Sequence, residues 1–154
     1  MKIYKTKLLN QKQKEEINHL WNKEYPNNLK HAELRKFEEY LSNLGEQHHI
    51  LLIDENESVK GWYFDFKRNN ERWFAMIIDS KLHRRGFGKK LLNHAKETNF
   101  ELNGWVIDQN HYQKENGERY TSPINFYKKN KFEVLDEVRL ETDKISAVKI
   151  KWHK

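Results

Sequence analysis

The chain has 154 residues, no cysteine, and 29 Lys and Arg against 23 Asp and Glu, for a formal net charge of +6. That length suits one domain, residues 1–154, with one core and one active site, and the missing cysteines exclude disulfides, thiolate metal sites and a cysteine nucleophile; no metal is expected. Mean hydropathy is low at -1.08, yet 13% of the residues are aromatic, enough apolar surface to build a core. The positive balance favours an anionic ligand without choosing one.

No apolar run reaches the about 18 residues of a membrane helix, and Met1 to Glu16 lacks the apolar centre of a signal peptide, so a cytoplasmic location is expected. Ile3 to Leu9 mixes β-branched, aromatic and basic residues as a short strand does. Asn10 with Gln13 forms a capping-box pattern, and Ile17, Leu20 and Trp21 make an i, i+3, i+4 stripe that must stop before Pro26, predicting a helix over Gln11 to Glu24. After a polar connector, Leu34, Phe37, Leu41 and Leu44 predict a second helix, closed by Gly45 as a left-handed C-terminal residue. Gln47 to Asp54 and Val59 to Phe66 read as a hairpin around the polar turn Asp54 to Ser58. Arg72 to Asp79 contains Trp-Phe-Ala-Met-Ile-Ile without alternation, the pattern of a central strand covered on both faces.

His83-Arg84-Arg85-Gly86-Phe87-Gly88-Lys89-Lys90 follows that strand, and Phe87, Leu91, Leu92 and Ala95 at helical spacing predict a helix over Phe87 to Glu101. The two glycines let the backbone turn tightly and approach a ligand, and the first N–H groups of the helix have no partner inside it. An anion fits there, and Arg84, Arg85, Lys89 and Lys90 place four positive charges within seven residues, so a pyrophosphate would meet both oriented backbone donors and side-chain cations. Two better-known phosphate loops are excluded by spacing. A P-loop needs four residues between its glycines and Ser or Thr after the lysine; the dinucleotide fingerprint needs a glycine where Leu91 stands.

Asn103-Gly104 is expected to turn the chain into a short buried strand, Trp105 to Ile107, completing a strand-helix-strand crossover. Asn110 to Thr121 is polar and irregular. Ser122-Pro123 signals an N-cap with proline at the first helical position, so a short helix over Pro123 to Lys129 follows. Phe132 to Leu140 suggests a strand whose regularity lapses at Asp136, and Val148, Ile150 and Trp152 alternate with lysines in a clearer one. The order is β-α-α-β-β-β-α-β-α-β-β, an α/β (α+β) chain around a mostly antiparallel sheet with one parallel crossover beside the glycine loop.

The glycine loop resembles motif A of the GCN5-related N-acetyltransferases, R/Q-x-x-G-x-G/A, with His83 in place of Arg or Gln. Phe126-Tyr127-Lys128-Lys129-Asn130-Lys131-Phe132 is similar to the family's F-Y-x-K-x-G-F, with Lys131 in place of glycine. The element order is similar as well, so the resemblance covers nearly the whole chain. It implies acetyl-CoA as cosubstrate, with its pyrophosphate on His83, Arg84, Arg85, Gly86, Phe87, Gly88 and Lys89. It also implies that the backbone of Met76, Ile77, Ile78 and Asp79 pairs with the pantetheine arm as a surrogate strand, one N–H polarising the thioester carbonyl. Tyr127 matches the family tyrosine that gives a proton to the departing sulfur; ordinary tyrosine stays protonated at neutral pH. Tyr120 and Pro123 stand where many members carry Asn and Ala, so side-chain contacts from those positions do not carry over.

A general base is not legible. Asp65, Asp108, His48 and His49 are expected to be solvated or structural, and His83 either a phosphate contact or an exposed turn residue. The implied reaction is acetyl transfer to a primary amine on a small molecule or peptide. Its site is framed by the connector Pro26 to His31, the hairpin strands and Asn110 to Thr121. Their mixed charges, Lys30, His31, Asp65, Lys114, Glu115, Glu118 and Arg119, select neither a cationic nor an anionic acceptor. A homodimer is compatible with this reading, and a membrane is not expected as a partner. Two rivals are a non-catalytic acyl-CoA binder and, further off, a basic nucleic-acid-binding domain, for which the sequence shows no concentrated basic stripe.

Overall fold

The computed structural model describes residues 1–154 and contains the expected elements in the expected order: β1 (Lys2–Thr6), α1 (Gln11–Glu24), α2 (Leu34–Ser42), β2 (Gly45–Ile53), β3 (Val59–Arg68), β4 (Glu71–Ile78), α3 (Phe87–Glu97), β5 (Glu101–Ile107), α4 (Ile124–Lys129), β6 (Glu133–Glu141) and β7 (Ser146–His153). The strands form one seven-stranded sheet in the order β1-β2-β3-β4-β5-β7-β6, antiparallel except where β4 meets β5. β4 is therefore central.

Alternate strand residues feed two separate cores, which is why β4 shows no polar alternation. On one face Ile17, Leu20 and Trp21 of α1 and Phe37 and Leu41 of α2 pack on Trp62, Phe64, Phe66, Trp73 and Ile77. On the other, Leu91, Leu92 and Ala95 of α3 and Tyr127 of α4 pack on Tyr63, Phe74, Leu102, Val106 and Ile150. Phe37 and Trp62 are fully buried, each contributing about 2–3 kcal/mol of apolar burial. α1 starts on a complete capping box, in which the Asn10 side chain accepts from the Gln13 N–H and the Gln13 side chain accepts from the Asn10 N–H. It ends before Pro26, with Tyr25 extended.

Several boundaries differ from the sequence reading, among them the first strand, which ends at Thr6 rather than Leu9, and four of them have a clear local reason. Gly45 is not a left-handed helix cap: it pairs with Lys67 inside β2, and the positive φ (48°) falls on Glu46, the extra residue of a bulge between the Gly45 and His48 pairs. α3 stops at Glu97, because the Asn99 side-chain amide donates to the Ala95 carbonyl at 2.8 Å and closes the helix end. Asn103 and Gly104 do not turn but lie within β5. A Cβ at Gly104 would sit 2.9 Å from the Phe74 ring, so the glycine serves close packing between neighbouring strands. α4 begins at Ile124 with Pro123 before it, and the Ser122 hydroxyl accepts the Ile124 N–H at 3.3 Å.

Candidate active site

β4 and β5 are parallel neighbours for a single pair, Trp73 with Asn103, and the ladder does not continue from there toward the glycine loop. Which backbone groups line the gap follows from their partners. The Asp79 N–H donates to the Lys60 carbonyl of the β3 side at 2.9 Å, while Arg72 turns its carbonyl to the Asn103 amide at 3.1 Å and its N–H to Glu101 at 3.4 Å, both in β5. With strand alternation, Phe74, Met76 and Ile78 share the orientation of Arg72, and Ile77 shares that of Asp79. Of the four residues Met76 to Asp79, then, Met76 and Ile78 turn backbone to the gap, Ile77 turns to β3, and Asp79 gives its N–H to β3 and its carbonyl to the Leu82 N–H at 2.8 Å. The Asp79 carboxylate points away too, buried against Lys23 (3.0 Å) and accepting the Lys81 N–H (2.9 Å), contacts that outweigh desolvation and hold its pKa below the usual value.

The His83 side chain is engaged by the strand before the loop. Its Nε2 lies 2.8 Å from the Ile78 carbonyl, and because a carbonyl can only accept, the imidazole donates and grips the last carbonyl on the open edge of β4. The loop beyond it has Arg84 at φ 62° and Gly86 at φ 83°. A Cβ at Gly86 would meet nothing within 4 Å, so the space above that turn is open. The amides of Phe87, Gly88 and Lys89 open α3 with no partner in the chain, the first closed bond being Lys90 N–H to the Gly86 carbonyl at 3.1 Å. Gly88 also has a packing role: a Cβ there would lie 2.9 Å from the Phe126 ring, so this glycine lets α3 and α4 touch. Arg85 sits over the Phe87 ring at 5.5 Å, and none of Arg84, Arg85, Lys89 and Lys90 has a carboxylate partner. Oriented donors, free cations and open space fit a diphosphate.

Tyr127, from α4, is buried against Phe74, Phe126 and Phe132, and its hydroxyl has no hydrogen-bond partner. Burial, with a smaller contribution from Tyr120, pushes its pKa up, so the phenol keeps its proton throughout the neutral range. Tyr25 and Tyr120 meet edge to face at 6.5 Å, and Tyr25 is raised first by burial and then by Tyr120 and Tyr127. These three partner-free phenols sit close together.

A group that sequence reasoning missed ties the region together. Glu24 is buried, accepts the Ser80 N–H at 2.8 Å just past β4, and pairs with Lys114 at 3.2 Å. The signal was present: Glu24 continues the stripe of Ile17, Leu20 and Trp21 by one more turn, and a carboxylate on a core stripe needs a partner. Lys114 belongs to the segment Asn110 to Thr121, which is strapped to the connector after α1 by Gln113 accepting the Asn27 N–H (2.7 Å) and by the Lys30–Glu115 pair (3.8 Å).

The other titratable candidates are structural. Asp65 is buried and accepts from the Tyr63 hydroxyl at 2.6 Å, Arg72 Nε at 2.7 Å and the Asn99 amide at 3.2 Å. His48 lies at the edge of that cluster, its Nδ1 2.6 Å from an Arg72 nitrogen. Buried His49 accepts from Trp62 Nε1 at 3.0 Å and faces the Gln47 side-chain oxygen at 3.0 Å; desolvation lowers its pKa to about 4. Asp108 holds Arg139 through two bonds of 2.9 Å.

Residues 46–134 match the acetyltransferase (GNAT) domain family. No curated protein matches the chain in sequence. Solved structures do match in fold: an aminoglycoside 6'-N-acetyltransferase complexed with coenzyme A has a TM-score of 0.73 at 12% identity, over 99% of this chain and 97% of that one. A GNAT superfamily phosphinothricin acetyltransferase from Sinorhizobium meliloti in complex with AcCoA has 0.67 at 11%, over 99% and 89%. Spermidine/spermine N-acetyltransferase SpeG from Vibrio cholerae has 0.65 at 14%, over 98% and 92%. With a family match over more than half of its residues, this chain belongs to the GNAT acetyltransferase family.

Proposed function

We propose that the protein is an N-acetyltransferase that moves an acetyl group from acetyl-CoA to a primary amine, with residues 1–154 acting as one domain. The observation that carries this reading is the one-pair β4–β5 ladder, which leaves the backbone of Met76 and Ile78 facing a gap that leads to unpaired amides and free cations. Acetyl-CoA bound there supplies an activated thioester. The Phe87, Gly88 and Lys89 amides and Arg84, Arg85 and Lys89 hold its diphosphate, and Met76 and Ile78 align its amide arm as an added strand. His83 acts one step removed, by fixing the Ile78 carbonyl.

Tyr127 keeps its proton at neutral pH and is the donor to the sulfur as the C–S bond breaks. Every carboxylate near the gap is already paired, Glu24 with Lys114 and Asp79 with Lys23, so the amine loses its proton to water rather than to an acidic side chain. The acceptor enters beneath the strap formed by Asn110 to Thr121, beside Tyr25 and Tyr120. A chemistry of this kind in a cysteine-free chain suits the cytoplasm.

Calorimetric titration with acetyl-CoA, with AMP and pyrophosphate as controls, tests the reading. Stoichiometric binding that the two anions do not reproduce, followed by amine-dependent thiol release, is the expected result. Binding no better than that of the anions overturns it.

A further inference from the structure

The net charge of the chain is not spread evenly. Ser80 to Lys96 holds six Lys and Arg and no Asp or Glu, and Pro123 to Phe132 holds three more and again no acid. None of the nine is in an ion pair. The two stretches lie side by side in space: Gly88 abuts Phe126, and Lys96 Nζ donates to the Asn130 carbonyl at 2.7 Å. Lys131 and Lys89 both lower the pKa of Lys96, after burial, as uncompensated neighbours do. The other twenty Lys and Arg face twenty-three Asp and Glu, so without this one face the chain is acidic.

Four of the nine cations stand in the glycine loop, enough to meet the about four negative charges that CoA carries on its phosphates. The other five lie beyond it, mostly on α4 and its end. We propose that this face docks an acidic carrier protein, whose phosphopantetheine arm enters the β4–β5 gap and delivers an acyl group as an alternative to acetyl-CoA. The inference rests on the acetyl-CoA reading, because the phosphopantetheine arm is what the two donors share. In the transfer the amine nitrogen bonds to the acyl carbon and the C–S bond breaks. The electron pair leaves on the carrier's sulfur, which takes up a proton as the amine gives one to solvent.

A protein partner fits better than nucleic acid. The exposed large apolar side chains, Met1, Tyr4, Leu8, Phe100 and Val138, all lie outside these two stretches, whose Phe87 and Phe126 are half-buried, Phe87 with Arg85 over its ring. A single strand therefore finds no stacking platform. A long polyanion laid over the loop also blocks the gap, whereas a carrier fills it with its own arm.

The experiment titrates acetyl-loaded acyl carrier protein into the full-length protein at low and at physiological salt, with acetyl-CoA and a short RNA in parallel. The pair Lys128→Glu and Lys129→Glu, or the milder Lys128→Ala and Lys129→Ala if the first lowers Tm, is compared with wild type. The expected result is carrier binding that weakens at least about tenfold with charge reversal and with salt, while acetyl-CoA affinity stays within about twofold. Acetyl-CoA binding without carrier binding, carrier binding insensitive to the reversal, or preferential binding of RNA overturns the inference alone. Loss of acetyl-CoA binding by wild type overturns the functional reading beneath it.

Discussion

The two ends of β4 solve opposite problems. At its N-terminal end Arg72, Asp65, Tyr63, Asn99, Glu101 and Asn103 bind one another, and the carboxylate of Asp65 accepts from three side chains. At its C-terminal end the backbone of Met76 and the N–H of Ile78 face β5 without a ladder, the Ile78 carbonyl is held only by the His83 imidazole, the first amides of α3 have no partner in the chain, and the cations of the loop have no carboxylate partner. Buried polar groups left unmade cost stability, so a fold tolerates them where a ligand completes them. The paired end fixes the sheet; the unpaired end is where chemistry is proposed.

Breaking the paired end should give the largest effect. Asp65→Ala strands the Arg72 guanidinium and the Tyr63 hydroxyl in a buried setting, and the expected loss is about 3–5 kcal/mol in a denaturant titration. A loss under about 1 kcal/mol in that titration means that the cluster is solvated and the contrast between the ends fails.

His49, in β2 beside the strand that carries Asp65, extends the contrast to pH. Its folded pKa of about 4 lies below the ordinary value of 6.5, so the unfolded chain binds more protons between these values and stability rises with pH across that window. The contribution, about 3 kcal/mol at most, is complete above pH 6.5 and lost as pH falls toward 4. Denaturant midpoints measured across the window should show this slope, and it should flatten in His49→Asn. An equal slope in the variant assigns the acid sensitivity elsewhere.

At the unpaired end, Gly86→Asp places a carboxylate in the open space where the diphosphate is proposed to sit, and Asp tolerates the left-handed backbone better than most residues. Acetyl-CoA affinity should fall by about a hundredfold or more, about 3 kcal/mol, with the fold intact by circular dichroism. A folded variant that binds as wild type does would move the site. Tyr127→Phe separates binding from chemistry: once an acceptor is found, kcat should drop about a hundredfold with acetyl-CoA affinity unchanged. An equal kcat assigns Tyr127 to the core alone.

Most of the fold was legible because apolar periodicity and turn chemistry agree along the chain: the capping box at Asn10, the stripe of α1 and the run of β4 each had one reading. The failures have a common cause in packing between distant residues. Gly104 looks like a turn until the Phe74 ring is placed over it, and the packing reason for Gly88 appears only once Phe126 is placed beside it. The motif residues were visible as a pattern, but the alternation that turns Ile77 and Asp79 away from the gap is fixed by β3, and the imidazole of His83 finds the Ile78 carbonyl only in three dimensions. Neither Glu24 with Lys114 nor the basic face could be seen in one stretch, since each joins segments far apart in the chain.

The smallest expected effect concerns Lys131, which has φ 74° at the end of α4, where Phe132 N–H returns to the Tyr127 carbonyl at 3.1 Å. That is a left-handed helix terminus, the conformation glycine adopts without strain and a lysine does not. Lys131→Gly should stabilise by about 1 kcal/mol, raising Tm by about 2–4 °C. Lys131→Asn, which tolerates the same backbone without the charge, should recover part of that gain. An unchanged Tm in both variants would show that the positive φ stores no strain. A higher Tm together with weaker carrier binding would show why the residue is a lysine: its charge extends the basic face at a position whose backbone favours glycine.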